Sequence, residues 1–307
     1  KLTKEDIVAF ANKYLKEDNY AVIYKKQGKD PNEKKMTKPE ITPIITNRDV
    51  ASPFLVEVQE SAVKPIEPVF LDYQKDMSQL KAKSDIPVLY KQNVANDLFQ
   101  LIYVFDMGNN HDKALGTAFD YLEYLGTSDM TPEELKSEFY RLACTFYVSP
   151  GNERTYVVLS GLNENMPAAV QLFEKLLADA QVNKEAYTNM TSDILKARSD
   201  AKLNQGQNFS RLMSFAMYGP KSPATNLLTE AELTNMNPQE LVDRIHNQNS
   251  YKHRILYYGP SSSKDLLATI NQYHQVPAAL KDIPAGNEYA YLETPVTKVL
   301  VAPYDAK

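Results

Sequence analysis

Apolar residues recur along this chain with two periods, near 3.6 and near 2, and the switches between them mark its elements. At the N-terminal end, Thr3 precedes Glu5 and Asp6, an N-cap followed by acidic residues in the first turn. Ile7, Val8, Phe10, Ala11, Tyr14 and Leu15 then recur at helical spacing. Asn19 breaks that helix, and Tyr20–Tyr24 reads as a buried strand. One helix and one strand cannot bury their own faces. Residues 1–28 are therefore read as the C-terminal tail of a preceding domain.

A regular pattern returns at Val88. Val88–Tyr90 reads as a short strand, residues 93–97 as a turn, and Leu98–Met107 as a strongly apolar strand. Lys113–Leu125 has helical periodicity. Thr131-Pro132-Glu133-Glu134 starts a second helix, with Thr as N-cap, Pro at the first position and Glu at the third. Cys144–Val148 and Thr155–Leu159 form a hairpin around Pro150-Gly151-Asn152-Glu153. Helical stretches follow at Met166–Ala180, Lys184–Leu203 and Asn208–Tyr218, and another after Asn237-Pro238. His253–Tyr258 closes the pattern as a strand, with a last helix over Ser263–Tyr273.

Residues 29–87 differ. Pro31, Pro39, Pro43, Pro53, Pro65, Pro68 and Pro87 punctuate a Lys- and Glu-rich stretch, and no Gly occurs from 29 to 107. So long an irregular connection is unusual inside one domain and suits an extended tether. Ile44-Ile45, Phe54–Val56 and Val69–Leu71 are its expected anchoring points. The predicted organisation is a tail (1–28), an extended linker (29–87), a complete domain (88–276), and a second linker with the first strand of a following domain (277–307). Lys298–Ala302 is that strand.

The chain has 307 residues, 43% of them hydrophobic, and a formal net charge of −5. With no long basic run, nucleic acid is not an expected partner. No segment has the apolar length of a membrane span. The chain starts at Lys1 rather than Met and reads as a processed or engineered piece. Its single cysteine, Cys144, cannot form an intrachain disulfide and reads as a small buried hydrophobe.

Candidate chemistry is sparse. The four histidines, His111, His246, His253 and His274, form no His-x-x-His, His-x-x-x-His or His-x-x-Glu-His pair, so no metal site is expected. His111 reads as capping or solvated, and His246 as a cation suited to a helix C-terminus. Ser210 and Ser262 have no nucleophile context, and there is no Gly-x-Ser-x-Gly. A polar run from Lys196 to Arg211 separates two helices; Arg198, Asn204 and Arg211 are its candidates for lining a peptide chamber. The bland alternative is a solvated helix face and its turn.

Residues 98–127 run from an apolar strand through a Gly108 turn and an amphipathic helix to Gly126-Thr127. This layout resembles the start of a domain in the insulinase–pitrilysin family of zinc peptidases. In that family the helix carries His-x-x-Glu-His and closes near a Gly-Thr pair. Counted back from Gly126, the motif positions hold Thr117, Phe119, Asp120 and Tyr121, so both His are missing and Asp120 stands for the Glu. The family's third ligand is a Glu on a later helix; on Lys184–Leu203, none of Glu185, Asp193 and Asp200 matches it. Asp120 and Glu123 are expected on different sides of their helix.

The resemblance implies an α+β domain, an antiparallel sheet backed by helices, that is the non-catalytic half of a zinc endopeptidase. It implies no catalytic residue and no cofactor here, with zinc held in a catalytic half on the same or a partner polypeptide. A peptide would be enclosed between the two halves. A purely structural or assembly subunit of the same fold is the alternative. Among the family's compartments, the bacterial periplasm or cell envelope is the expected one.

Overall fold

The computed structural model of the chain describes residues 2–18, 20–28, 34, 36–44, 46 and 50–304. Asn19, Pro31 and Ile45, expected as a helix break, a linker kink and an anchor, lie outside the described residues. The chain divides into two units, Lys1–Pro68 and Val69–Lys307.

The first unit holds α1 (Lys4–Tyr14) and α2 (Pro53–Glu60). Thr3 and Asp6 cap α1 reciprocally: the Thr3 hydroxyl accepts from the Asp6 N–H at 3.2 Å, and the Asp6 carboxylate accepts from the Thr3 N–H at 2.9 Å. Ser52 caps α2, and Pro53 supplies the φ of its first turn. That helix lies where the sequence indicated irregular tether. Neither helix has a buried residue. One expectation is corrected here: residues 20–24 form no strand. An apolar run becomes a strand only against a partner, and none is supplied among the described residues.

The second unit is built on a six-stranded sheet. In chain order its elements are β1 (Ser78–Lys81), β2 (Pro87–Gln92), β3 (Leu98–Phe105), α3 (Leu115–Leu122), α4 (Pro132–Arg141), β4 (Cys144–Pro150) and β5 (Thr155–Leu162). Then come α5 (Met166–Asp179), α6 (Lys184–Ala201), α7 (Gln205–Tyr218), α8 (Glu230–Asn235), α9 (Gln239–Asn247), β6 (His253–Gly259) and α10 (Ser263–Tyr273). The strand order is β1-β2-β6-β3-β5-β4. Every neighbouring pair is antiparallel except β2 with β6. The expected α+β class holds, with this one parallel pair inside the sheet.

Period-2 alternation decides which face of the sheet is covered. Phe99, Leu101, Tyr103 and Phe105 of β3 join Val157, Leu159, Ile255 and Tyr257 in the main core. α5 adds Val170, Phe173, Leu176 and Leu177, and α3, α9 and α10 complete the layer with Leu122, Leu241 and Leu266.

Two boundaries differ in detail from the sequence expectation. β1 lies in the stretch read as linker, and Ile86, just before β2, is fully buried. After α10 the chain keeps bonding to the unit: Lys281 bridges Tyr251, the Asn287 N–H donates to the Asn110 carbonyl, and the Leu292 N–H to that of Met217. Residues 298–302, expected as a strand, have no strand assignment, and Val299 and Val301 are exposed.

Residues 69–307 are expected to unfold in a single urea transition. Shortening this fragment to begin at Val88 removes β1 and the buried Ile86, and should cost at least about 2 kcal/mol. Equal midpoints for the two fragments would show that β1 contributes nothing to the unit.

Candidate functional site

The helix that would carry a zinc motif is α3. Its N-terminal end is held by side chains of the preceding turn. The Asn109 side chain accepts from the Gly116 N–H at 2.9 Å, and Asp112 from the Ala114 N–H at 3.0 Å. The second Asp112 oxygen accepts from Arg244 of α9 at 2.8 Å. Beyond the helix, the Met130 carbonyl lies 2.3 Å from where a Cβ on Gly126 would stand, so this close approach requires glycine.

On α3 the motif positions point to different environments. Thr117 is half-buried, Phe119 and Tyr121 are buried, and Asp120 is exposed. Tyr121 is consumed structurally: its hydroxyl donates to the Asn183 carbonyl at 2.6 Å and accepts the Asn183 N–H at 2.9 Å. Asn183 is the N-cap of α6, so the ring ties α3 to the start of α6. The Asp120 carboxyl is raised above the usual range, first by desolvation and then by the charge of Glu123. Residues three apart are helix neighbours, which corrects the expectation that these two face apart.

A threonine, a hydrogen-bonded buried tyrosine and the Asp120 carboxylate do not make a zinc donor set. Among the described residues, no group of three or more His, Cys, Asp or Glu side chains could hold a metal ion. Cys144 is buried, and burial pushes its thiol pKa up, as for a packing residue.

The histidines are less scattered than their spacing implied. His111 accepts the Gly108 N–H on Nδ1 at 3.0 Å, and His246 bonds the Ala180 carbonyl through Nε2 at 3.1 Å. His253 and His274 meet in the core at 2.8 Å.

A second feature lies where α6, α7 and the start of α8 meet. A cavity of about 650 Å³ is lined by Arg198, Lys202, Arg211, Phe215, Thr225 and Glu230, among others. Arg198 is half-buried and donates to the Leu228 carbonyl at 2.7 Å; Lys202 and Arg211 are exposed. Desolvation first, and then the charge of Arg211, push the Arg198 pKa below its usual value. Among the described residues none of these three cations makes a salt bridge. Of the three residues expected to line a chamber, the structure thus brings Arg198 and Arg211 together. Asn204 instead caps α7, accepting the Gln207 N–H at 3.0 Å. No residue of α7 is buried, and its Phe209, Met213 and Phe215 are exposed.

A third feature is the sheet edge. β4 is the outer strand, and beside it α3 and α4 enclose an apolar cavity of about 380 Å³ lined by Phe119, Leu122, Leu135, Phe139 and Phe146.

No protein-family model and no curated protein matches the chain. Solved structures do. The periplasmic protease PqqL from Escherichia coli matches with a TM-score of 0.61 at 14% identity, over 95% of this chain and 30% of that one. A peptidase M16 inactive domain from Pseudomonas fluorescens matches with a TM-score of 0.58 at 16% identity, over 69% of this chain and 54% of that one. The ferredoxin protease FusC, in complex with Arabidopsis ferredoxin, gives 0.60 at 13% identity, over 95% and 30%. The fold is that of a peptidase M16 inactive domain. It is the fold the resemblance implied, and this chain spans only about a third to a half of the proteins it matches.

Removing the Tyr121 hydroxyl leaves the Asn183 N–H at the α6 cap without its partner, while the Asn183 carbonyl still accepts the Tyr187 N–H. Tyr121→Phe is expected to destabilise the chain by about 1–3 kcal/mol, read from urea midpoints, and an unchanged midpoint would show the bridge to be incidental. Rebuilding the motif by Thr117→His, Asp120→Glu and Tyr121→His should lose the same bridge and lack a third ligand. Equilibrium dialysis should find zinc bound no tighter than the micromolar range; tighter binding would show that a ligand set survives.

Proposed function

We propose that this chain is the non-catalytic segment of a zinc-dependent endopeptidase, forming the wall of a peptide-enclosing chamber opposite a catalytic half. One observation carries the reading: an M16 inactive-domain fold whose motif helix holds Thr117, Asp120 and Tyr121 in place of ligands and base. The zinc and the activated water belong to the catalytic half, on the same polypeptide or a partner. This chain contributes binding rather than bond cleavage.

Arg198 and Arg211 are the chamber residues, with Asn204 setting the corner between α6 and α7. Cations that make no salt bridge among the described residues suit an anionic part of a peptide, a C-terminal carboxylate or an acidic side chain. The outer edge of β4 can add an extended peptide as a strand, with the neighbouring apolar cavity taking a side chain. The exposed apolar residues of α7 are surface that a partner half would cover. The periplasmic location of PqqL supports a periplasmic or cell-envelope setting. No helix among the described residues is long and apolar enough to cross a membrane.

The test uses the polypeptide or complex that joins this chain to its catalytic half, assayed on an acidic peptide with a free and with an amidated C-terminus. The chain alone should cleave neither. Losing a charge-assisted hydrogen bond costs about 1.5–3 kcal/mol, tenfold or more in affinity. Arg198→Ala with Arg211→Ala should therefore raise KM about tenfold, with kcat within about twofold. Unchanged KM and kcat with the halves still associated would assign the chain an assembly role instead.

A further inference from the structure

Three titratable side chains that are far apart in sequence form one chain of hydrogen bonds inside the second unit. Glu174 of α5 is 1% exposed, His253 of β6 is 7% exposed, and His274, just past α10, is fully buried. His253 Nδ1 lies 2.7 Å from the Tyr251 carbonyl, and its Nε2 is 2.8 Å from Nε2 of His274. His274 Nδ1 lies 2.7 Å from a carboxylate oxygen of Glu174. The other Glu174 oxygen accepts from the Gln275 N–H and from the Asn249 side-chain amide, each at 3.0 Å. Tyr103 packs on His274 and Phe105 on His253, with ring centroids 4.4 and 4.6 Å apart.

Counting hydrogens restricts what this chain can hold. A carbonyl only accepts, so His253 Nδ1 carries a hydrogen. The contact between the two Nε2 atoms needs one hydrogen and has no room for two. The contact of His274 with Glu174 needs one more. Three hydrogens are therefore shared by two imidazoles and a carboxylate, one more than two neutral rings carry. The extra proton cancels the carboxylate charge, and the network is neutral as a whole. Glu174 accepts two N–H groups on its far oxygen, as a carboxylate does, and because it is His274 that touches this carboxylate, the hydrogen shared between the two Nε2 atoms is held on His274 and His253 is left neutral.

We propose that Glu174, His274 and His253 form a single-proton latch that clamps β6 and the segment after α10 onto α5 and opens when acid delivers a second proton. That proton can enter only on Nε2 of His253, where two N–H groups would then face each other across the contact. The segment after α10 is the part most directly held: the Gln275 N–H bonds Glu174, and Lys281 pairs with the Ser250–Lys252 backbone next to His253. Further along, Leu292 bonds Met217 of α7.

Among the described residues, the other ionisable groups around the latch do not supply a counter-charge. Tyr103 of β3 has its pKa held well above the usual phenol value by burial and by Glu174, so it stays neutral. Lys252 pairs with Asp282, Arg254 with Asp106, and Lys281 lies over the Tyr251 ring, all at the partly or fully exposed surface. Desolvation, and then the charge of His274, depress the His253 pKa from 6.5 to about 4. The folded chain thus binds fewer protons here than the unfolded chain, and stability falls as pH drops from about 6.5 to about 4. The loss is at most tenfold in the folding constant per pH unit, about two orders of magnitude in all.

The test uses the full chain. In ¹⁵N-histidine NMR spectra, His253 should stay neutral with its hydrogen on Nδ1 down to about pH 4.5. Hydrogen exchange at pH 4.5 against pH 7, corrected for intrinsic rates, should show Gln275, Lys281 and Leu292 losing protection before the β3 and β5 amides. Between pH 6.5 and 4, His253→Gln should lose at least tenfold less of its folding constant than the parent. A His253 that titrates near 6.5, exchange that rises uniformly, or a variant with the parent's pH dependence would each overturn the latch. The NMR measurement decides the matter even where the variant does not fold.

Discussion

The second unit depends on the placement of β6. The order β1-β2-β6-β3-β5-β4 makes β6 the only link between the β1–β2 arm and the β3–β5–β4 arm. Its parallel pairing with β2 and antiparallel pairing with β3 are made by a strand more than a hundred residues later in the chain. The two arms are not joined into one sheet until the helices from α3 to α9 have returned the chain to that slot. Such contacts cost loop entropy before they repay it. A polar clasp on β6, with Glu174 contributed by α5, is therefore placed where the fold has most to lose from an open sheet.

Local punctuation was legible in the sequence. The capping box at Thr131, the hairpin around Gly151 and the helix over Ser263–Tyr273 all come from signals within a few residues. Thr229 and Glu232 form an equally good capping box for α8, yet the helix has only six residues and its periodicity is too brief to register. Strands were the harder case. Residues 20–24 and 298–302 have strand composition and are not strands, whereas Ser78–Lys81 is a strand despite a polar composition. β-propensity records fit to a partner more than a property of the segment. The meeting of His253, His274 and Glu174 has no linear signature, because Glu174 and His274 are 100 residues apart.

The residues at the expected motif positions were legible, but what Tyr121 does in the fold was not. From sequence, Tyr121 reads as a lost ligand. In the fold it is a buried bridge that satisfies both backbone groups of Asn183 and so fixes the start of α6 relative to α3. α6 in turn carries Arg198 at its far end. Tyr121 thus supports the helix that carries Arg198, a cation with no salt bridge among the described residues.

The two polar clusters of this unit obey different rules because of where they sit. A buried carboxylate must be neutralised within the chain, since an isolated charge in the core costs far more than folding can supply. Glu174 meets that condition with one shared proton and two N–H donors. Lys202 and Arg211 are in water, where an unpaired charge costs little, so selection for stability alone does not require a carboxylate beside them. Arg198 lies between these limits, half-buried and under the field of Arg211, with its guanidinium satisfied on one side by the Leu228 carbonyl. Of the three cations it has most to gain from an anion entering the cavity, because its solvation is already partly lost. Under the function proposed above, this energetic asymmetry would make Arg198 the residue on which recognition turns, with Arg211 and Lys202 drawing the anion toward it.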